Sequence, residues 1–160
     1  MALFKSRQIV AKAPIPSVNA ATDLVCIFGD YTLAGTEASA DVIEMVPLPA
    51  GFCIVDVIVD TEDLGTTVTA NVGLLSGDFD STGARTCGAT IMSAKALGTP
   101  AVYRADVFGY SMTAPLSESA GTVGAQGNRG IGFALSTVST PTAGAKVRMM
   151  LIARPAINGL

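Results

Sequence analysis

Between residues 51 and 77, apolar and polar side chains alternate in two runs around a short acidic turn. Val55, Val57 and Val59 alternate with Asp56, Ile58 and Asp60. Val68, Ala70, Val72 and Leu74 alternate with Thr67, Thr69, Asn71 and Gly73. A period of two places one set in a core and the other outside, so the pattern predicts two neighbouring strands. The polar run from 61 to 65 ends in glycine, as a strand-joining loop does. The same period recurs in Ile131, Phe133 and Leu135. It returns in Val147, Met149 and Leu151, which alternate with Lys146, Arg148 and Met150 before Pro155 stops the run.

Further strands are expected over residues 24–28, 31–33, 42–46 and 101–108. Pro47 and Pro49 should end the third of these, because proline cannot donate to a ladder. Residues 76–88 read as loop. Residues 121–132 read as a glycine-rich loop that opens a strand. Residues 90–97 have the best local helix propensity and predict one or two helical turns. About seven to nine short strands without a long helix predict an all-β antiparallel sandwich or barrel. No repeat of 20 to 50 residues is visible, which excludes solenoids and propellers.

The first 22 residues read differently. Pro14 and Pro16 in alternate positions favour extended backbone and exclude helix around them. Leu3, Phe4, Ile9 and Val10 give this stretch an apolar character. We therefore expect an N-terminal arm (1–22) that docks either on its own body or on a neighbouring subunit. A sandwich domain (23–155) and a short tail (156–160) follow.

Charge sharpens the picture. Only 14% of the 160 residues are charged, while 49% are hydrophobic. Typical soluble domains carry ~25% charged residues. Interface cores are depleted of charge, so a chain that hides surface against neighbours accounts for the shortage better than an ordinary monomer does. The order of charges is uneven. Residues 1–22 hold Lys5, Arg7 and Lys12 and no acid, residues 23–80 hold acids and no base, and the remainder is mostly basic. Either folding interleaves these blocks, or the surface has an acidic and a basic side suited to subunit contacts. Nucleic acid is disfavoured, since the net charge is −3 and the bases are dispersed.

No apolar run approaches the ~20 residues that span a bilayer. The N-terminal residues lack the apolar core of a secretory signal, so synthesis in a cytoplasm is expected. Cys26, Cys53 and Cys87 have no metal-ligand spacing and are expected to be reduced, mostly buried thiols.

The chain has no histidine, which removes Ser–His and Cys–His nucleophile pairs and the usual zinc sets. No phosphate-binding loop occurs, and the glycines of 127–132 read as turn residues opening a strand. The acids Asp60, Glu62, Asp63, Asp78 and Asp80 cluster in turns. They read as solvated turn acids. A Ca²⁺ or interface site is the alternative, and paired-carboxylate catalysis is a remote third. No enzyme, cofactor or metal site is expected.

The stretches Val46-Pro47-Leu48-Pro49-Ala50-Gly51-Phe52, Val57 to Gly65 and Ala70-Asn71-Val72-Gly73-Leu74-Leu75-Ser76-Gly77 resemble small structural proteins of tailed bacteriophages. These are capsid decoration, or cement, proteins and related head-fibre base domains. The likeness covers residues 41–80 well, follows residues 101–110 and the last strand in outline, and does not extend to the arm. It implies a β-sandwich of jelly-roll type, assembled as a homodimer or homotrimer on the outside of an icosahedral head. Its partner would be the major capsid protein, whose subunits it would bridge. The expected contacts are Phe4, Arg7, Ile9 and Lys12 on the arm and Asp60, Glu62 and Asp63 on the acidic turn. The rival reading is a head-fibre base or a receptor- or glycan-binding virion protein.

Overall fold

The computed structural model describes residues 2–12, 14–15, 24–106 and 127–155. Their elements run β1 (Leu3–Lys5), α1 (Arg7–Val10), β2 (Val25–Thr32), β3 (Val42–Leu48), β4 (Phe52–Thr61), β5 (Gly65–Thr66) and β6 (Thr69–Leu74). After these come β7 (Met92–Ala96), β8 (Ala101–Arg104), β9 (Arg129–Thr137), β10 (Thr140–Pro141) and β11 (Lys146–Pro155). One sheet has the order β1-β3-β9-β6-β7, and the other has the order β2-β11-β4-β8. Strands β5 and β10 form a small separate ribbon. The pairings are antiparallel except for β1, which runs parallel to β3.

The alternation seen in the sequence becomes the sandwich core. Val57 and Val59 of β4 meet Val147, Met149 and Leu151 of β11 on the inner face of one sheet. Ala70 and Val72 of β6 and Ile131, Phe133 and Leu135 of β9 line the facing sheet. Each fully buried side chain of this kind contributes roughly 1.5–3 kcal/mol. The described residues thus form the expected all-β antiparallel sandwich.

Two expectations change. Residues 92–96 are strand rather than helix. The Ile91 amide donates to the Val72 carbonyl at 3.0 Å, and that of Leu97 donates to Val68 at 2.7 Å. Ala94 has φ of 48° and gives its amide to Asn71 Oδ1 at 2.9 Å, a conformation no helix accepts. Ladder bonds and burial of Ile91, Met92 and Leu97 outweigh local propensity. Strand β3 also continues through Pro47. There β9 is paired on one side, while β1 pairing ends at Glu44, so the missing N–H falls on the open side. The far part of the expected strand 101–108, most of the loop 121–132, the tail 156–160 and residues 16–23 of the arm lie outside the described residues.

Candidate interaction surface

Residues 2–12 dock on their own body. Strand β1 adds to the free edge of β3, with Phe4 opposite Ile43. The Ser6 amide donates to the Glu44 carbonyl at 2.7 Å, and the Ser6 hydroxyl bonds the Met45 carbonyl. One helical turn follows and ends where Lys12 enters the left-handed region at φ 55°. Ile9 is only 3% exposed and anchors the turn. Gln8 braces it against β2, accepting the Asp30 amide at 2.8 Å and donating to the Asp30 carboxylate.

Phe4 and Ile9 therefore face the body. The Phe4 ring packs against Tyr31, with centroids 5.9 Å apart. Arg7 and Lys12 are the outward members of the predicted arm set. Arg7 reaches Asp30 at 3.4 Å, and Lys12 joins Lys5 on the Asp80 carboxylate. Hydrogen bonds from Lys12 and then Lys5 hold Asp80 below the ordinary carboxyl value of 3.8.

The acidic turn is satisfied internally. Arg148 of β11 bonds Asp60 and Glu62, each at 3.0 Å. The Lys146 amide donates to Glu62 at 3.0 Å and, with Arg148, holds that carboxyl below its usual range. Asp63 accepts the Gly65 amide at 2.9 Å and shapes the turn. Among the described residues, no group of three or more His, Cys, Asp or Glu side chains converges as a metal site. The charge blocks are interleaved. Lys5–Asp80, Arg7–Asp30, Arg85–Glu44, Arg104–Asp56 and the Arg148 pairs each join an acid of the 23–80 block to a base from outside it.

Arg7 and Asp60 of the predicted set come together at a hollow of ≈ 480 Å³ on the outer side of β2 and β11, beside Phe28, Arg148 and Met150. A second hollow of ≈ 300 Å³ lies on the other side of Phe28, lined by Lys12, Pro14, Ile15, Phe79 and Asp80. Phe28 is 59% exposed between them.

Sequence reasoning missed one buried device. Glu44 is 0% exposed on the outer side of β3, and Arg85 is 2% exposed in the 76–88 loop that folds over it. Arg85 donates to Glu44 Oε1, to the Ser76 carbonyl at 2.6 Å and to the Gly77 carbonyl at 3.2 Å. Among the described residues, Glu44 Oε2 has no hydrogen-bond partner. Burial pushes the Glu44 carboxyl up, and Arg85 pulls in the opposite direction. Gly130 leaves the space the carboxylate fills, since a Cβ there would collide with Oε1. The lone acid at residue 44 in an apolar strand was the available signal; nothing in the sequence pointed to Arg85.

The cysteines are all free. Cys53 is buried, whereas Cys26 is exposed on β2, contrary to the expectation of mostly buried thiols. Burial pushes the Cys87 thiol up to about 12.

No family model matches the chain, and no curated protein does. Two solved structures are similar. A chain in the capsid of Ralstonia phage GP4 is 27% identical with a TM-score of 0.80, over 98% of this chain and 100% of that one. A chain in the cyanophage Pam1 capsid asymmetric unit is 22% identical with a TM-score of 0.56, over 89% and 94%. The second likeness concerns the fold alone.

Proposed function

We propose that this chain is a non-enzymatic structural protein of a bacteriophage virion, a cement protein on the outside of an assembled head. The end-to-end likeness to a chain of the GP4 capsid carries the reading, because it spans both chains almost completely. Low charge adds support: only 14% of the residues are charged, which fits a protein that works against neighbours. The proposal takes the sandwich as a jelly roll. The orders β2-β11-β4-β8 and β3-β9-β6-β7 support this, since they place the first, last, third and sixth main strands in one sheet.

The mechanism is bridging between major capsid subunits. A ligand that binds the assembled shell better than free subunits stabilises the shell by mass action. Many copies act together through avidity, so each contact need only be modest. Phe4 and Ile9 serve by holding α1 in place. The shell would meet the outward tip of that segment, Arg7, Val10 and Lys12, with Asp60, Glu62 and Asp63 as the second contact.

Addition of purified protein to heads that lack it tests this reading. Heads should bind the parent saturably and resist heat better afterwards. Arg7→Gln with Lys12→Gln, which leaves Lys5 on Asp80 and sets no acid against Asp30, should weaken binding at least ~tenfold, about 1.4 kcal/mol, with the melting temperature nearly unchanged. Undiminished binding by that double variant would remove the segment from the contact, and no binding by the parent would remove the cement reading.

A further inference from the structure

The loop 76–88 has little of its own to hold it down. No apolar side chain within it is fully buried, and Arg85 is its one buried residue. The bonds that close it are few. The Ser76 amide donates to the Thr86 carbonyl at 2.9 Å, the Thr86 amide returns to Ser76 Oγ at 2.9 Å, and the Phe79 amide donates to the Asn128 carbonyl at 2.9 Å. The N-terminal segment 2–12 is as lightly held. Its strand pairs with β3 over three residues, and Ile9 is its one buried apolar side chain. Local opening is drawn from elements of this kind, with few buried apolar contacts.

The two segments meet at one carboxylate. Lys5 takes one oxygen of Asp80 and Lys12 the other, and the Asp80 carbonyl also accepts Lys5 at 2.9 Å. Lys12 and Asp80 both hold left-handed backbone, at φ 55° and 62°. Side-chain-bearing residues keep that conformation where their surroundings impose it, and here each residue is part of the other's surroundings. A second link runs through Glu44. Its main-chain carbonyl accepts the Ser6 amide at 2.7 Å, while its Oε1 accepts the Asp80 amide at 3.4 Å and Arg85 from the loop. The 300 Å³ hollow is a third, with Ile9 and Lys12 of one segment and Phe79 and Asp80 of the other in its wall.

We propose that residues 2–12 and 76–88 form a clasp, a single unit that opens and closes together while the sandwich beneath stays folded. Opening withdraws Lys5 and Lys12 from Asp80, relaxes the left-handed backbone at Lys12 and Asp80, and bares the β3 edge with the Glu44–Arg85 pair to water. Loss of either half removes restraints from the other. Lys12 is the handle, since its side chain is 74% exposed against 21% for Lys5. A partner carboxylate that draws Lys12 off Asp80 favours the open form by its differential affinity for it. The coupling belongs to the free chain, so it stands or falls apart from shell binding.

Native-state amide exchange of the free protein tests it. In the parent, the amides of Ser6 and Val10 in one half and of Ser76, Phe79 and Thr86 in the other should share one opening equilibrium. Ile9→Ala removes the anchor of one half only. Coupling is reciprocal, so it should lower protection at Ser76, Phe79 and Thr86 by the same factor as at Ser6 and Val10, at least ~tenfold, with β4 and β11 unchanged. Lys12→Gln should lower both sets by a smaller common factor. If Ile9→Ala also loosens β4 and β11, Ser6→Ala, which removes only the hydroxyl bond to Met45, takes its place. Loop protection that stays unchanged while residues 3–10 loosen overturns the proposal. So does a parent in which the two sets open with different denaturant dependence.

Discussion

Replacing Arg85 with methionine would remove the ion-pair partner of Glu44 in a site closed to water. Glu44 is 0% and Arg85 2% exposed, so solvent cannot compensate either group. Breaking a buried pair from one side typically costs ~3–5 kcal/mol. Arg85 also donates to the carbonyls of Ser76 and Gly77, so the upper half of that range is expected. For a domain of this size, each kcal/mol shifts the melting temperature by ~2–4 °C, which gives a drop of roughly 10–15 °C. Urea denaturation of parent, Arg85→Met, Glu44→Gln and the double variant measures the coupling. The double variant should be more stable than Arg85→Met, because it carries no unpaired charge. Acid gives an independent check. A carboxyl whose folded pKa is raised loses stability as pH rises from 4.5 through that folded value, so Arg85→Met should regain stability on acidification toward 4.5. A cost below ~1 kcal/mol, or a double variant no better than the single one, would refute the reasoning.

Three further outcomes follow from the geometry. Gly29→Ala should lose ~1–3 kcal/mol in denaturant titration, because a Cβ there meets the Met45 carbonyl where β2 passes β3. Asp80 has a lowered folded pKa, so its contribution is present above 3.8 and is lost as pH falls through the folded value. Amide protection factors at residues 3–10, taken against the intrinsic rate at each pH, should therefore fall below pH 3.8, and Asp80→Asn should lower them at neutral pH. In dilute native protein Cys26 should react with a thiol reagent well before Cys53 and Cys87; equal rates would contradict the burial described.

The sandwich was legible because alternation in residues 52–74, 131–135 and 147–151 is a local property that burial then uses. The strand at 92–96 was not legible, since its cause is the distant β6. The docking of β1 depended on the free edge of β3, which no local pattern reveals. Of the expected contacts, Arg7 and Lys12 face outward as a solvated charge should. Phe4 and Ile9 turned inward for the apolar character that drew attention to them. The outward apolar cluster was half visible: Ile58 and Met150 occupy the polar phase of their strands, but only the register joins them to Phe28.

The central claim is that the chain is a component of a phage head present throughout the shell. Quantitative mass spectrometry of gradient-purified particles measures this directly, as copies of this chain per major capsid subunit. The account predicts a near-stoichiometric ratio. A handful of copies would contradict the cement role and point to a vertex or fibre position, and absence from the particle would contradict the virion role altogether.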